Sequence, residues 1–156
     1  MARHKKIRWK SATPELKEIA ITVLADPDPV NGILWSQQIA DPQYGSDDNI
    51  ICPHGFGYRM TFTLQDNTNQ QIQFNVGSPI YVKESAAGSC PTRKGSKQFK
   101  PDSCTGEALV VTNWNYGTAK SLRYQLNFVD PAGNDIDPPY DPIVDNGGGG
   151  VRPLCR

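Results

Sequence analysis

Nucleophilic, acid–base and metal chemistry rests on histidine, cysteine and grouped carboxylates, and this chain of 156 residues brings few of them together. It has two histidines, His4 in a basic leader and His54 in "CPHGFG". Cys52 and His54 stand two apart, and in an extended chain their side chains would share a face. A thiolate–imidazole pair also needs a third group to orient the ring, and the neighbouring sequence supplies none. Pro53 and Gly55 make the segment read as a turn instead. Phosphate-binding glycine loops, nucleophile elbows and zinc-protease helices leave motifs that this sequence lacks. The expectation is a non-catalytic protein with no cofactor and no metal.

The four cysteines, Cys52, Cys90, Cys104 and Cys155, are spaced 38, 14 and 51 residues apart. Without a C-x-x-C pair, a structural zinc site is not expected. In an oxidising compartment, Cys90–Cys104 with Cys52–Cys155 is the preferred pairing; in a reducing one all four are thiols. The first pair would close a loop, "CPTRKGSKQFKPDSC", carrying Arg93, Lys94, Lys97 and Lys100. Closing about 15 residues is worth roughly 3 kcal/mol in the chain-entropy picture. Four cations on such a loop suit an anionic ligand, a glycan or nucleic acid, with Phe99 as an aromatic contact. The plainer reading is a solvated insertion.

Formal charge balances at zero, but unevenly. Arg3, Lys5, Lys6, Arg8 and Lys10 crowd the start, and Asp130, Asp135, Asp137, Asp141 and Asp145 lie near the end without a cation among them. The pattern predicts a dipolar molecule, basic at its start and loop and acidic towards its end, with charges merely dotting a solvated surface as the plainer reading. The basic start, with Trp9, resembles a nucleic-acid arm, but Ile7 and Trp9 alternate as a strand does, and nucleic acid is not favoured. The late acids, with Asn134 and Asn146, would suit calcium, yet "DPAGNDID" lacks the spacing of a calcium loop. The pair in "ADPDP" is a weaker candidate of the same kind.

What must position these groups is a set of short strands. Tyr58, Met60, Phe62 and Leu64 alternate with polar residues, as do Ile72, Phe74 and Val76, and "DNTNQ" between them reads as the turn of a hairpin. Leu122, Tyr124, Leu126 and Phe128 repeat the pattern. Weaker strand signals lie at 6–10, 18–24, 78–84 and 107–115. Residues 33–39 fit a strand or a helical turn, and a short helix is allowed over 14–20 from Pro14. "ADPDPVNG" reads as a breaker and "PAGN" as a turn. The fold class expected is all-β: a single antiparallel β-sandwich, loosely immunoglobulin-like, of about seven strands, with a small closed barrel as the alternative.

Residues 1–137 would form this sandwich, with the basic loop at 89–104. Residues 138–156, rich in proline and closing on Gly147–Gly150, would be an extended tail: a cover for a sheet edge, an arm for another subunit, or a frayed end. The outward residues Thr61, Thr63, Gln65, Gln71, Gln73, Asn75, Gln125 and Asn127 would make a polar face fit for sugars or flat partners. The functional expectation is a binding or assembly protein, its partner a protein or a second copy, with an anionic ligand at the basic loop as the alternative. No stretch approaches the roughly 18 apolar residues of a membrane span. No apolar run follows the basic start as a secretory leader requires, so the chain reads as cytoplasmic, with non-classical export or surface assembly the other possibility.

Overall fold

The structure is a computed structural model that describes residues 16–46, 49–83, 99–115 and 119–147. In chain order its strands are β1 (Leu16–Asp28), β2 (Gly32–Ile39), β3 (Gly45–Ser46), β4 (Asn49–Cys52), β5 (Gly57–Asp66) and β6 (Gln73–Phe74). They continue as β7 (Ile80–Lys83), β8 (Phe99–Cys104), β9 (Ala108–Asn113), β10 (Lys120–Leu126), β11 (Phe128–Val129) and β12 (Ile143–Asn146). A 3-10 turn, Pro42–Tyr44, is capped by the Asp41 carboxylate on the Gln43 N–H.

Two five-stranded sheets run in the orders β2-β1-β5-β9-β8 and β3-β4-β12-β10-β7, and β11 pairs with β6 beside them. The all-β sandwich therefore holds. Its sheets are mixed, because β1 runs parallel to β5 and β4 parallel to β12. Parallel neighbours need a crossover, here supplied by the chain passing from the first sheet to the second and back.

The alternating residues face one interior as their period requires. Ile19, Ile21, Val23, Met60, Phe62, Leu109 and Val111 from the first sheet meet Ile50, Leu122, Tyr124, Leu126 and Val144 from the second, all buried. Burying each such side chain is worth about 1.5–3 kcal/mol. Aromatic rings fill the depth: Phe62 and Phe99 lie 5.8 and 6.4 Å from Tyr124, and Phe128 lies between Trp35 and Phe74 at 4.5 and 4.7 Å.

Several local expectations are corrected. Residues 58–65 and 71–76 do not form a hairpin: β5 pairs with β1 and β9, while β6 pairs with β11. Asp66 turns the chain away, its carboxylate accepting the Thr68 hydroxyl and N–H and the Ile72 N–H. These bonds hold its carboxyl below the usual value although partial burial works to raise it. Val76 lies at 58 % exposure on the turn after β6 rather than inside.

Nor does "ADPD" break the first strand. The hairpin is β1–β2, closed where Asp28 accepts the Val30 N–H and Gly32 takes φ +82°. Pro27 is tolerated there because β1 has outrun β5, whose ladder stops at Ala25–Asp66, and its nitrogen faces away from β2. Residues 16–20 are strand, not helix, and 33–39 are strand throughout.

The largest difference is at 138–147. Rather than a tail, this segment belongs to the sandwich: Tyr140 bridges Leu126, and β12 runs between β4 and β10 in the middle of the second sheet. Its inner end carries a buried amide pair, with Asn113 and Asn146 exchanging hydrogen bonds of 2.7 and 3.0 Å between the sheets. Next to it the Gly147 N–H donates to the Cys52 carbonyl. A Cβ on Gly147 would lie 2.6 Å from the His54 nitrogen, so the close approach requires glycine.

Candidate binding face

The period that buries Leu122, Tyr124 and Leu126 turns Ser121, Arg123 and Gln125 outward on β10. Register then sets neighbours beside them: Asp145 opposite Ser121, Ile143 opposite Arg123, and Tyr81 of β7 opposite Gln125. Asn49 and Ile51 of β4 complete the outer face of the second sheet. Apart from Ile51, these side chains are half-buried rather than open.

Hydrogen bonds organise this face. Asp145 accepts from the Ser121 hydroxyl at 2.5 Å and the Asn49 amide at 2.6 Å. Arg123 donates to Asp141 at 2.7 Å, and both side chains are about a quarter exposed (25 % and 24 %). Gln125 donates to the Asn127 side-chain Oδ1 at 2.7 Å, and the Asn127 side-chain amide donates to the Ser78 main-chain carbonyl at 2.9 Å. The Asn75 side chain accepts the Ser78 N–H.

The bonding is incomplete. Arg123 Nε, Asp141 Oδ1 and Asn49 Oδ1 here, and Gln37 Nε2 in the core, are buried polar atoms with no hydrogen-bond partner among the described residues. A buried polar atom left unmade costs about 1–3 kcal/mol, and two of these atoms belong to the one Arg123–Asp141 ion pair. The face runs into a cleft of about 330 Å³ between the Asn75–Pro79 turn and the 135–139 segment, walled by Tyr81, Gln125, Asn127, Asp135 and Asp137. On the other side of the same turn a cleft of about 280 Å³ reaches Pro101–Cys104.

Residues named from sequence fall unevenly around this surface. Lys100 is exposed on β8. Arg93, Lys94 and Lys97, with Cys90, Cys155, His4 and the basic start, lie outside the described residues. Phe99 is no ligand contact, since it is buried in the core. Cys52 and Cys104 are both unbridged thiols. Burial pushes the Cys52 thiol up to about 12, against the Asn113 amide at 3.2 Å and with the Asp145 charge adding to the rise. A thiol so held is protonated at neutral pH, while His54 is exposed. Cys104 donates to the Thr105 carbonyl and is raised by burial.

The acids serve local structure. Asp130 accepts the Ala132 and Asn134 N–H groups of its turn, and Asp26 accepts the Asn67 amide. Among the described residues no three His, Cys, Asp or Glu side chains gather as a metal site would need. The polar residues taken as one face are divided: Thr61, Thr63 and Gln65 belong to the first sheet, Gln125 and Asn127 to the side of the second. Arg123, Tyr81, Asp141 and Asp145 went unnoticed in sequence as a site. Alternation around β10 offers a signal for Arg123, whereas Asp141 and Asp145 join it only because β12 pairs there.

No helix among the described residues is long and apolar enough to cross a membrane. No protein-family model matches the chain, and no curated protein matches its sequence.

Proposed function

We propose that this chain is a non-catalytic binding protein whose working surface is the outer face of the second sheet. The observation that carries the reading is a row of polar side chains fixed by mutual hydrogen bonds, Asn49, Ser121 and Asp145 with Arg123 and Asp141, beside a cleft of about 330 Å³ walled by Tyr81, Gln125 and Asn127. Preorganised polar groups bind at small ordering cost. Hydrogen exchange of the strands tests it, with neutral polysaccharides, heparin and a basic peptide as separate additions. At least one should slow exchange in β7 and β10 and leave β1 and β5 unchanged. Protection of the first sheet alone, or of neither, refutes the reading.

A second reading, self-assembly, is favoured by the outer edge of β2. Edge strands are usually blunted against pairing. β8 carries Pro101 and a register shift, β3 spans two residues, and β7 four. β2 has eight residues with no proline, charge or bulge. The Ala40 N–H to Ala20 carbonyl bond fixes the alternation, which aims the main-chain groups of Ile33, Trp35, Gln37 and Ile39 away from β1. Ile33 and Gln37 are only 5 % and 1 % exposed, so the open part of the edge centres on Trp35, beside exposed Val30 and Leu34. Light scattering should give a mass that doubles with concentration and stays single in Leu34→Lys. A single mass at every concentration for the unsubstituted chain removes this reading.

A further inference from the structure

We infer that residues 7–10 of this same chain dock as a further strand on the first sheet, along the part of β1 that β2 leaves uncovered.

The open edge follows from the ladders. β1 is held by β5 from Leu16 to Ala25, whereas β2 meets it only from Ile21 onward and adds one last bond, from the Ala40 N–H to the Ala20 carbonyl. Beyond that bond Asp41 caps the 3-10 turn and the chain departs to β3 in the second sheet. Main-chain groups of a strand alternate in direction. Since Ala20 faces β2, Glu18 and Leu16 face the vacated side, and there neither has a main-chain partner among the described residues. An edge left in this state is a template for a strand. Apolar surface lies uncovered beside it: Phe56 is 43 % exposed. Lys17, inward by alternation, is exposed as well, with its ammonium 3.7 Å over the Phe56 ring.

The chain itself supplies the occupant. The fifteen residues before Leu16 are tethered at the open edge, at an effective concentration on the order of millimolar for a short link. Their alternation then selects one register. Ile7 and Trp9 share the inward phase of Ile19 only if odd residues stand opposite odd ones. Ile7 opposite Ile19 and Trp9 opposite Lys17 meets that condition and sets Trp9 next to Phe56. It leaves "SATPE", residues 11–15, as a five-residue loop containing Pro14, and it ends the strand where Ala40 already occupies Ala20. Arg8 then stands opposite Glu18, whose carboxylate has Arg59 3.1 Å away on the other side, so the acid lies between two cations. A slip of two residues one way puts Lys5 beside Ile19. The opposite slip runs Ile7 into Ile39, the partner of Ile21.

The test is amide exchange and cross-strand contacts in the full chain, read residue by residue by NMR. The Leu16 and Glu18 amides should be protected, and should exchange at least about tenfold faster in Arg8→Pro, which removes the N–H that meets Glu18. Lys17, whose main chain faces β5, should not change. Arg3→Pro, upstream of the strand, should leave all three as they are. An Hα–Hα contact between Trp9 and Lys17, the mark of a non-hydrogen-bonded pair, should appear, and in a mixture of labelled and unlabelled protein it should stay within one copy. Free exchange of Leu16 and Glu18 in the unsubstituted chain overturns the inference, as does protection indifferent to Arg8→Pro. A Trp9–Lys17 contact found only between copies overturns it too, in favour of an arm exchanged between two molecules.

Discussion

Replacing Asn113 by alanine should destabilise this protein more than the same change at Asn146, although the two amides bond to each other. Asn113 is fully buried and Asn146 is 3 % exposed. Removing the Asn113 side chain strands both polar atoms of the Asn146 amide between the sheets and takes the acceptor from the Asn115 N–H. Two stranded atoms at about 1–3 kcal/mol each, with about 1 kcal/mol for the bond to Asn115, give about 3–7 kcal/mol. Against a typical total of about 5–15 kcal/mol, that is a large share. Asn146→Ala is milder, about 1–2 kcal/mol, because the Asn113 oxygen still accepts from Asn115 and its nitrogen still faces the Cys52 sulfur. The double variant should cost less than the sum by about 1–3 kcal/mol. Urea unfolding followed by tryptophan fluorescence measures all three. Additive effects, or a cost at Asn146 equal to that at Asn113, would refute the claim that β12 closes the sandwich through this pair.

The acid limb of stability should depend on Asp66. Its carboxyl is held low by its hydrogen bonds, so its contribution is present above about pH 4 and is lost as pH falls through the lower folded value. Asp66→Asn should flatten that limb in acid titrations of unfolding; an unchanged slope counts against the turn's role. In native alkylation read by mass spectrometry, Cys104 should label and Cys52 should not until the protein unfolds, since the Cys52 thiol is pushed up to about 12 inside the core. Labelling of Cys52 as fast as Cys104 contradicts its burial. Gly45→Ala should lower the urea midpoint sharply, by more than about 2 kcal/mol, because φ is +123° and a Cβ would lie 2.0 Å from the Asn49 carbonyl oxygen. A midpoint shift under a quarter of that would show that the β3–β4 turn tolerates a side chain.

Short-range pattern determined a good deal by itself. Period-two alternation named Tyr58, Met60, Phe62, Ile72, Phe74 and the run from Leu122 to Phe128 as interior, and each is buried. It also turned Arg123 and Gln125 outward, because successive side chains of a strand must point to opposite faces. Pairing was beyond its reach. Residues 58–65 and 71–76 look like a hairpin in sequence, yet β5 runs parallel to a strand forty residues earlier. The proline-rich segment looks like a tail, yet it ends in a central strand, since Pro138, Pro139 and Pro142 all precede the ladder that begins at Ile143. Sequence decides which face of a strand is apolar; which strands become neighbours depends on how two whole sheets best bury those faces against each other. The candidate site belongs to that second kind of decision. Arg123, Asp141, Asn49 and Tyr81 come from four separate stretches of chain, and only the register of the second sheet gathers them.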